Sequence, residues 1–352
     1  MNRPLIKPSV LTCLCLGVLV AEPMPVSAQT AADFYKGKQV NLIISTESGG
    51  GYDTYGRVLA RHYGRYIPGN PNIVVQNMPG AGGIRATNHI YNSAAKDGTV
   101  LGLVHSAMTT ASILTLPQVQ FDTSKINWIG NMDEETAQCV SWHGSKIQTT
   151  KDMLEKPFVV GGSGAGSFLE IYPRVINNLL NAKIKVISGY KGGNEVALAM
   201  ERGEVDGRCG WPMSSVRATR PDWIAEKKLK FLMQTGLTKD PALPDVPLIT
   251  EFVTSADDQA ILELIFVSRS ILRPVFAPPD VPADRVAALR DAFMKTMADR
   301  TFLDEALKQS ATITPMDGAT VQATIAKINQ TPKAVVERAV AAMGGCEGCP
   351  AQ

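Results

Sequence analysis

The stretch Phe158 to Ser167, FVVGGSGAGS, constrains this chain more than any other. Phe158, Val159 and Val160 run into residues that are all Gly, Ala or Ser. Helical spacing begins at once, with Phe168, Ile171, Tyr172, Val175, Ile176 and Leu179 on one face. The pattern predicts a strand, a loop without bulky side chains, and a helix. Such a loop lets a ligand touch backbone N–H groups at a helix N-terminus, where the helix dipole favours an anion. A second unit of the same kind is SGGGYD, Ser48 to Asp53. It lies between a predicted strand, Val40 to Ile44, and a helix carrying Tyr55, Val58, Leu59, His62 and Tyr66. Two such units in one chain predict two lobes closing on one acid.

The first 28 residues read as a leader and not as part of the fold. Arg3 and Lys7 precede a mostly apolar run, Val10 to Ala21, and Val26-Ser27-Ala28 fits the small-residue cleavage rule. The run is shorter than the roughly 20 residues that span a bilayer. A signal peptide over residues 1–28 places the mature chain in the periplasm, beginning near Gln29. That mature chain is long enough for two domains of ordinary size. The net charge of +2 and the absence of a basic tract argue against nucleic acid as a partner. Export makes disulfides permissible for Cys139, Cys209, Cys346 and Cys349.

Strand signals alternate with helical ones. Strands are predicted at Val40 to Ile44, Ile73 to Gln76, Val100 to Val104, Trp128 to Asn131, Cys139 to Trp142, Phe158 to Val160, Lys185 to Ile187, Val205 to Cys209 and Leu229 to Met233. This is the α/β pattern of mostly parallel sheets flanked by helices, with ligands beyond the carboxyl ends of the strands. Farther on, a short helix at Asp257 to Phe266 precedes a predicted strand, Ile271 to Ala277. Helical stretches then start at Asp284 and at Thr320, the latter interrupted near Pro332 and running on through Met343. With no strands of their own, these helices are expected to complete the first lobe. The predicted lobes are residues 29–130 plus 250–345, and residues 131–249, with a flexible tail over 346–352.

Seven blocks together resemble one family: GGGYD at 49–53, QNMPGAGG at 76–83, KDGTVLG at 96–102, GGSGAGS at 161–167, YKGG at 190–193, EVDGRCGW at 204–211 and LPDVP at 243–247. In order and spacing they are similar to the Bug-type extracytoplasmic solute receptors of the tripartite tricarboxylate transporter system, over about residues 34–345. The resemblance implies a type II, two-lobed Venus-flytrap fold. It also implies pincer loops on a small organic carboxylate (a di- or tricarboxylate or an aromatic acid), delivery to a large and a small membrane subunit, and no catalysis. Three departures stand out. Ser45 to Ser48 reads STES where a proline-rich stretch is usual, so Glu47 adjoins the first loop. Cys209-Gly210-Trp211 replaces a Phe-Asp-Asn-like strand end. Ile67 to Asn72 lengthens the loop before the second strand.

The ligand set expected from these readings is Gly50, Gly51, Tyr52, Asp53, Ser106, Ala107, Ser163, Gly164, Ala165, Gly166, Ser167 and Trp211. Asp53 has two readings, a helix-dipole partner or a pincer residue reaching a ligand donor or a water. Ser163 and Ser167 offer hydroxyl donors to a carboxylate. Tyr52 and Trp211 offer apolar walls or plain packing. With no Arg or Lys in either loop, backbone amides are expected to outweigh charged side chains. The strand order the resemblance implies makes the strands of Cys139 and Cys209 neighbours. A disulfide between them and a pair of small buried residues are both open. A different class of protein, an exported serine hydrolase using Ser163, has an approximate nucleophile elbow. All four histidines precede that serine, however, against the expected order. A sensor subunit reporting to a membrane kinase is a third reading. The histidines lack metal spacing, Cys346-x-x-Cys349 is half a metal site, and no cofactor is expected.

Overall fold

The periodic stretches of the sequence settle into two helix-flanked sheets in a computed structural model, which describes residue 1, residues 30–116 and residues 118–344. The expected signal peptide and cleavage site, Cys346 and Cys349 lie outside the described residues.

The strands are β1 (Gln39–Ile44), β2 (Asn72–Asn77), β3 (Val100–Leu103), β4 (Asn127–Asn131), β5 (Ala137–Trp142), β6 (Phe158–Gly161), β7 (Ile184–Ile187), β8 (Gly207–Pro212), β9 (Leu229–Thr235), β10 (Pro274–Ala277) and β11 (Met316–Asp317). The first sheet has the order β11-β4-β10-β3-β1-β2 and the second β7-β6-β8-β5-β9. The chain passes from the first sheet to the second between β4 and β5, and returns between β9 and β10. Both sheets are mixed rather than simply parallel. β1 runs parallel to β2 and β3, and β6 parallel to β7 and β8, whereas β10 and β5 run antiparallel to both their neighbours. β10, on which the chain returns, fills the slot between the earlier strands β3 and β4, and β5, on which it enters the second sheet, lies between the later strands β8 and β9.

The sheets are buried on both faces, which is why their strands read as continuous apolar runs. In β1, Leu42 and Ile44 pack with Tyr55, Leu59 and Phe293 on one side, while Ile43 joins Ile84, Trp128 and Phe276 on the other. Helix Gly51–Tyr63 lies close to this sheet because Gly56 has no side chain; a Cβ there would sit 2.4 Å from Ile44 Cδ1. Helices Ala283–Met297 and Gly318–Ile328 cover the first sheet, and helix Arg300–Lys308 packs on helix Gly51–Tyr63. The last helix, Lys333–Ala342, packs on helix Ala256–Phe266 and reaches across to helix Phe168–Leu180, where Asn178 Nδ2 donates to the Ala342 carbonyl at 2.7 Å.

Two predicted strands begin two or more residues later than expected. The segment expected at Val205 to Cys209 starts later, because Asp206 is spent elsewhere. Its N–H bonds the Val159 carbonyl and its carboxylate accepts from Val159 N and Ser145 Oγ. The strand expected at Ile271 to Ala277 begins only at Pro274. Upstream, Leu272 N bonds the Asp133 carbonyl and Arg273 N bonds Asn131 Oδ1, so those residues join no ladder. The structure joins Cys139 of β5 to Cys209 of β8 in a disulfide.

Candidate functional site

Where the two lobes face one another they enclose a cavity of about 60 Å³. The first lobe contributes Thr46, Glu47, Gly50, Gly51, Tyr52 and His105. The second contributes Ser167, Phe168, Leu169, Gly193, Asn194, Arg208, Gly210, Trp211 and Ser215, and Arg269 and Leu272 close it from the returning segment.

The first glycine loop is held in shape by Asp53. Its Oδ2 accepts from Gly49 N at 2.9 Å and from Arg57 Nε at 2.8 Å, and its Oδ1 from Asn77 Nδ2 at 2.9 Å. Burial pushes the Asp53 carboxyl up, but the bonds from Arg57, Gly49 and Asn77 outweigh it and hold the group below its ordinary range. Asp53 therefore spends both oxygens inside its own lobe and does not line the cavity. Gly51 needs its lack of a side chain, since a Cβ there would lie 2.3 Å from Ser215 Oγ of the opposite lobe. Tyr52 is fixed by donating its hydroxyl to the Leu272 carbonyl at 2.6 Å while accepting from Ser106 N at 3.1 Å.

The second glycine loop stands largely apart from this cavity. Ser163, Gly164, Ala165 and Gly166 do not line the cavity; of that loop only Ser167 does. Its backbone instead packs against Ala81-Gly82 of the first lobe. Gly82 N donates to the Ser163 carbonyl at 2.9 Å, and a Cβ on Gly164, at φ +109°, would lie 2.7 Å from Ala81 Cα. Two glycine-rich segments thus meet backbone to backbone, which side chains on either would prevent. The Gly164 amide is already taken by Glu170 Oε1 at 2.6 Å, and Ser167 caps its helix by accepting from Leu169 N. Gly164→Val is accordingly expected to weaken ligand binding by holding the lobes apart, not by blocking a ligand. Overpacking of about 1–3 kcal/mol corresponds to roughly tenfold to a hundredfold in affinity. Calorimetry, with solution scattering showing failed ligand-induced compaction, checks it.

Ser106 and Ala107 also stand back from the cavity, in a buried 3-10 turn (Ser106–Thr109) behind His105. Ser163 Oγ has no hydrogen-bond partner among the described residues, so no general base accompanies it there. No cluster of metal-ligating side chains occurs among the described residues.

The residues that the loop-centred reading missed are charged. Arg208, on β8, is 6% exposed and lies over the Trp211 ring at 4.2 Å. Its one hydrogen bond among the described residues is from Nη1 to the Gly193 carbonyl, 2.7 Å, and Nε has no partner. Burial pushes the guanidinium down to about 9, against the pull of Glu47 and with that of Arg220, so it stays charged at neutral pH. Arg269 is 4% exposed and faces Phe168; Nε and Nη2 donate to the Glu135 carbonyl and Nη1 is unpartnered. Neither pairs with a carboxylate among the described residues. Arg273, behind them, does have an acid, Asp133, at 3.8 Å. His105 is partly buried near all three. Burial first, then their charges, push it down to about 4, which keeps the imidazole neutral.

Two acids remain, Glu47 lining the cavity and Glu135 outside its lining. Glu47 Oε1 accepts from Asn194 N at 2.9 Å, across the lobes, while Oε2 is buried without a partner. Burial raises its carboxyl, with the Asn194 bond and Arg208 opposing. Glu135 accepts from Ser214 N at 2.7 Å and from the Ser214 hydroxyl. Burial, then the Asp133 charge, push it up to about 6. A carboxyl raised on folding binds its proton more tightly in the native state. The stability it contributes is therefore present at low pH and lost as pH rises through about 6. Glu135→Gln is expected to flatten the thermal-denaturation profile between the ordinary carboxyl range and that value, as a pH series of melting curves would show.

Two lobes, two crossovers and a cavity between them define a ligand-binding protein of the periplasmic flytrap class. The family model of the tripartite tricarboxylate transporter family receptor matches residues 67–340, and the chain belongs to that family. It is a family of solute-binding receptors, its members periplasmic, and not of enzymes. One relative, a UPF0065 protein in the TAR-I ttuE-ttuC' intergenic region of Agrobacterium vitis, is 23% identical over 91% of this chain and 88% of its own. Among solved structures, MatC from Rhodopseudomonas palustris with bound malate aligns at a TM-score of 0.65, 19% identical over 85% of this chain and 99% of its own. The R. palustris protein Rpa4515 with adipate aligns at 0.67, 14% identical over 88% of this chain and 98% of its own. At such identities these structures speak for the fold.

Proposed function

We propose that this chain is exported, captures a small organic carboxylate between lobes 29–130 plus 250–345 and 131–249, and delivers it to the large and small membrane subunits of a tripartite tricarboxylate-type transporter. The observation that carries the reading is the pair of buried guanidiniums, Arg208 and Arg269, on one interlobe cavity without a carboxylate of their own among the described residues. Burying a cation without a counter-charge is costly, and an incoming carboxylate removes that cost through charge-assisted hydrogen bonds. Malate and adipate in the two R. palustris structures support the same ligand class.

A thermal-shift screen of di- and tricarboxylates, aromatic acids and amino acids tests it, since a ligand of the folded state raises its melting point. No shift with any acid would sink the reading. Mass spectrometry of protein exported in a Gram-negative host is expected to show a mature chain starting at or near Gln29; a retained Met1 would contradict export with cleavage.

A further inference from the structure

Arg208 and Glu47 come from opposite lobes and hold neighbouring residues of the same turn. Arg208 donates to the Gly193 carbonyl, and Glu47 accepts from the Asn194 amide. Both bonds end on the single peptide unit that joins Gly193 to Asn194, from its two opposite sides, and each charge acts on the other. Yet neither bonds the other. Arg208 keeps an unused donor, Nε, and Glu47 an unused acceptor, Oε2, and both residues line the one cavity. Gly192 leaves the room for this arrangement, since a Cβ there would lie 1.5 Å from Glu47 Oε2.

A plain carboxylate answers half of this. It satisfies Arg208, but it brings a negative charge up to a Glu47 oxygen that then remains buried and unpaired, which is doubly unfavourable. We propose that the ligand is a carboxylate with a hydrogen-bond donor, hydroxyl or ammonium, on the neighbouring carbon: its carboxylate meets Arg208, with Arg269 as a second cationic contact, and its donor meets Glu47 Oε2. This deepens the receptor reading and rests on it. Glu47 is then the residue that sets specificity. A site built to hydrogen-bond a donor discriminates sharply against the analogue lacking it, because the site's own polar atom is left stranded.

The test is calorimetry with matched sets of short mono- and dicarboxylates, each as the unsubstituted, 2-hydroxy and 2-amino acid, for example succinate, malate and aspartate. Either the hydroxy or the amino acid is expected to bind at least about tenfold more tightly than its unsubstituted partner. In Glu47→Ala that ratio is expected to collapse towards one. The ratio is read within each variant, so a uniform loss from weaker closure cancels. Glu47→Gln separates the two donors, because its neutral amide oxygen still accepts from a hydroxyl but no longer offsets an ammonium charge. An advantage that survives there identifies a hydroxy acid, and one that vanishes an amino acid. Equal affinity for all three members of a set, or an unchanged ratio in Glu47→Ala, overturns the proposal while leaving a carboxylate receptor intact. Silence across the whole panel, unsubstituted acids included, overturns the receptor reading as well.

Discussion

Arg208→Met is expected to weaken carboxylate binding on the order of 100-fold, about 3 kcal/mol, while leaving the fold in place. The side chain is 6% exposed, has a single hydrogen bond among the described residues, and lies over the Trp211 ring. Methionine keeps much of the apolar stem's packing and removes the charge. The protein without ligand is expected to hold its melting temperature or gain slightly, because a poorly compensated buried cation is gone. Arg208→Lys is expected to recover only part of the affinity, since a point charge cannot reproduce the planar fork. Titration calorimetry of both variants with the acid found in the screen, beside melting curves of the free proteins, reads binding and stability separately. Full affinity in Arg208→Met would return the work of binding to the backbone amides.

The second large effect belongs to stability. Removing the Cys139–Cys209 disulfide, by reduction or by Cys139→Ala with Cys209→Ala, is expected to lower the unfolding free energy by about 4 kcal/mol. The bridged residues are 70 apart in sequence, and closing a loop of that length removes much freedom from the unfolded chain. Both cysteines are fully buried, so two truncated side chains add a smaller packing loss. Chemical denaturation with and without reductant measures the difference, and unchanged midpoints would rule the contribution out. Ligand affinity should fall too, because the bridge ties β5 to β8 next to Arg208 and Trp211.

The disulfide sits at an irregularity that decides the site. Val140 pairs with Arg208 and Gln138 with Trp211, so Cys139 alone opposes both Cys209 and Gly210. That is a β-bulge, with Gly210 at φ +73°. On a regular strand Arg208 and Trp211 would point to opposite faces. The extra residue turns them to the same side, where both line the cavity and the guanidinium lies over the indole. Strand parity therefore gave no reason to join Arg208 to Trp211.

Much of the architecture comes from short-range pattern. Apolar runs closed by glycine, then helical spacing, are local signals, and they put most strands within a residue or two of their places and both glycine loops at strand ends. Gly50, Gly51, Tyr52, Ser167 and Trp211 could be assigned to the cleft for the same reason. Long-range contact decided the rest. Whether a glycine loop faces a ligand or another loop depends on what the opposite lobe presents. Ala81 and Gly82, about 80 residues from Gly164 along the chain, took up the second loop as a lobe contact. Likewise Arg208, Arg269 and Glu47 carry no local signal of a ligand role, although Arg208 lies in the EVDGRCGW block and Glu47 adjoins the first loop. One lies on a strand, one after a helix and one beside a loop, and only closure of the two lobes around a single cavity makes two unpaired cations and a half-paired acid into one site.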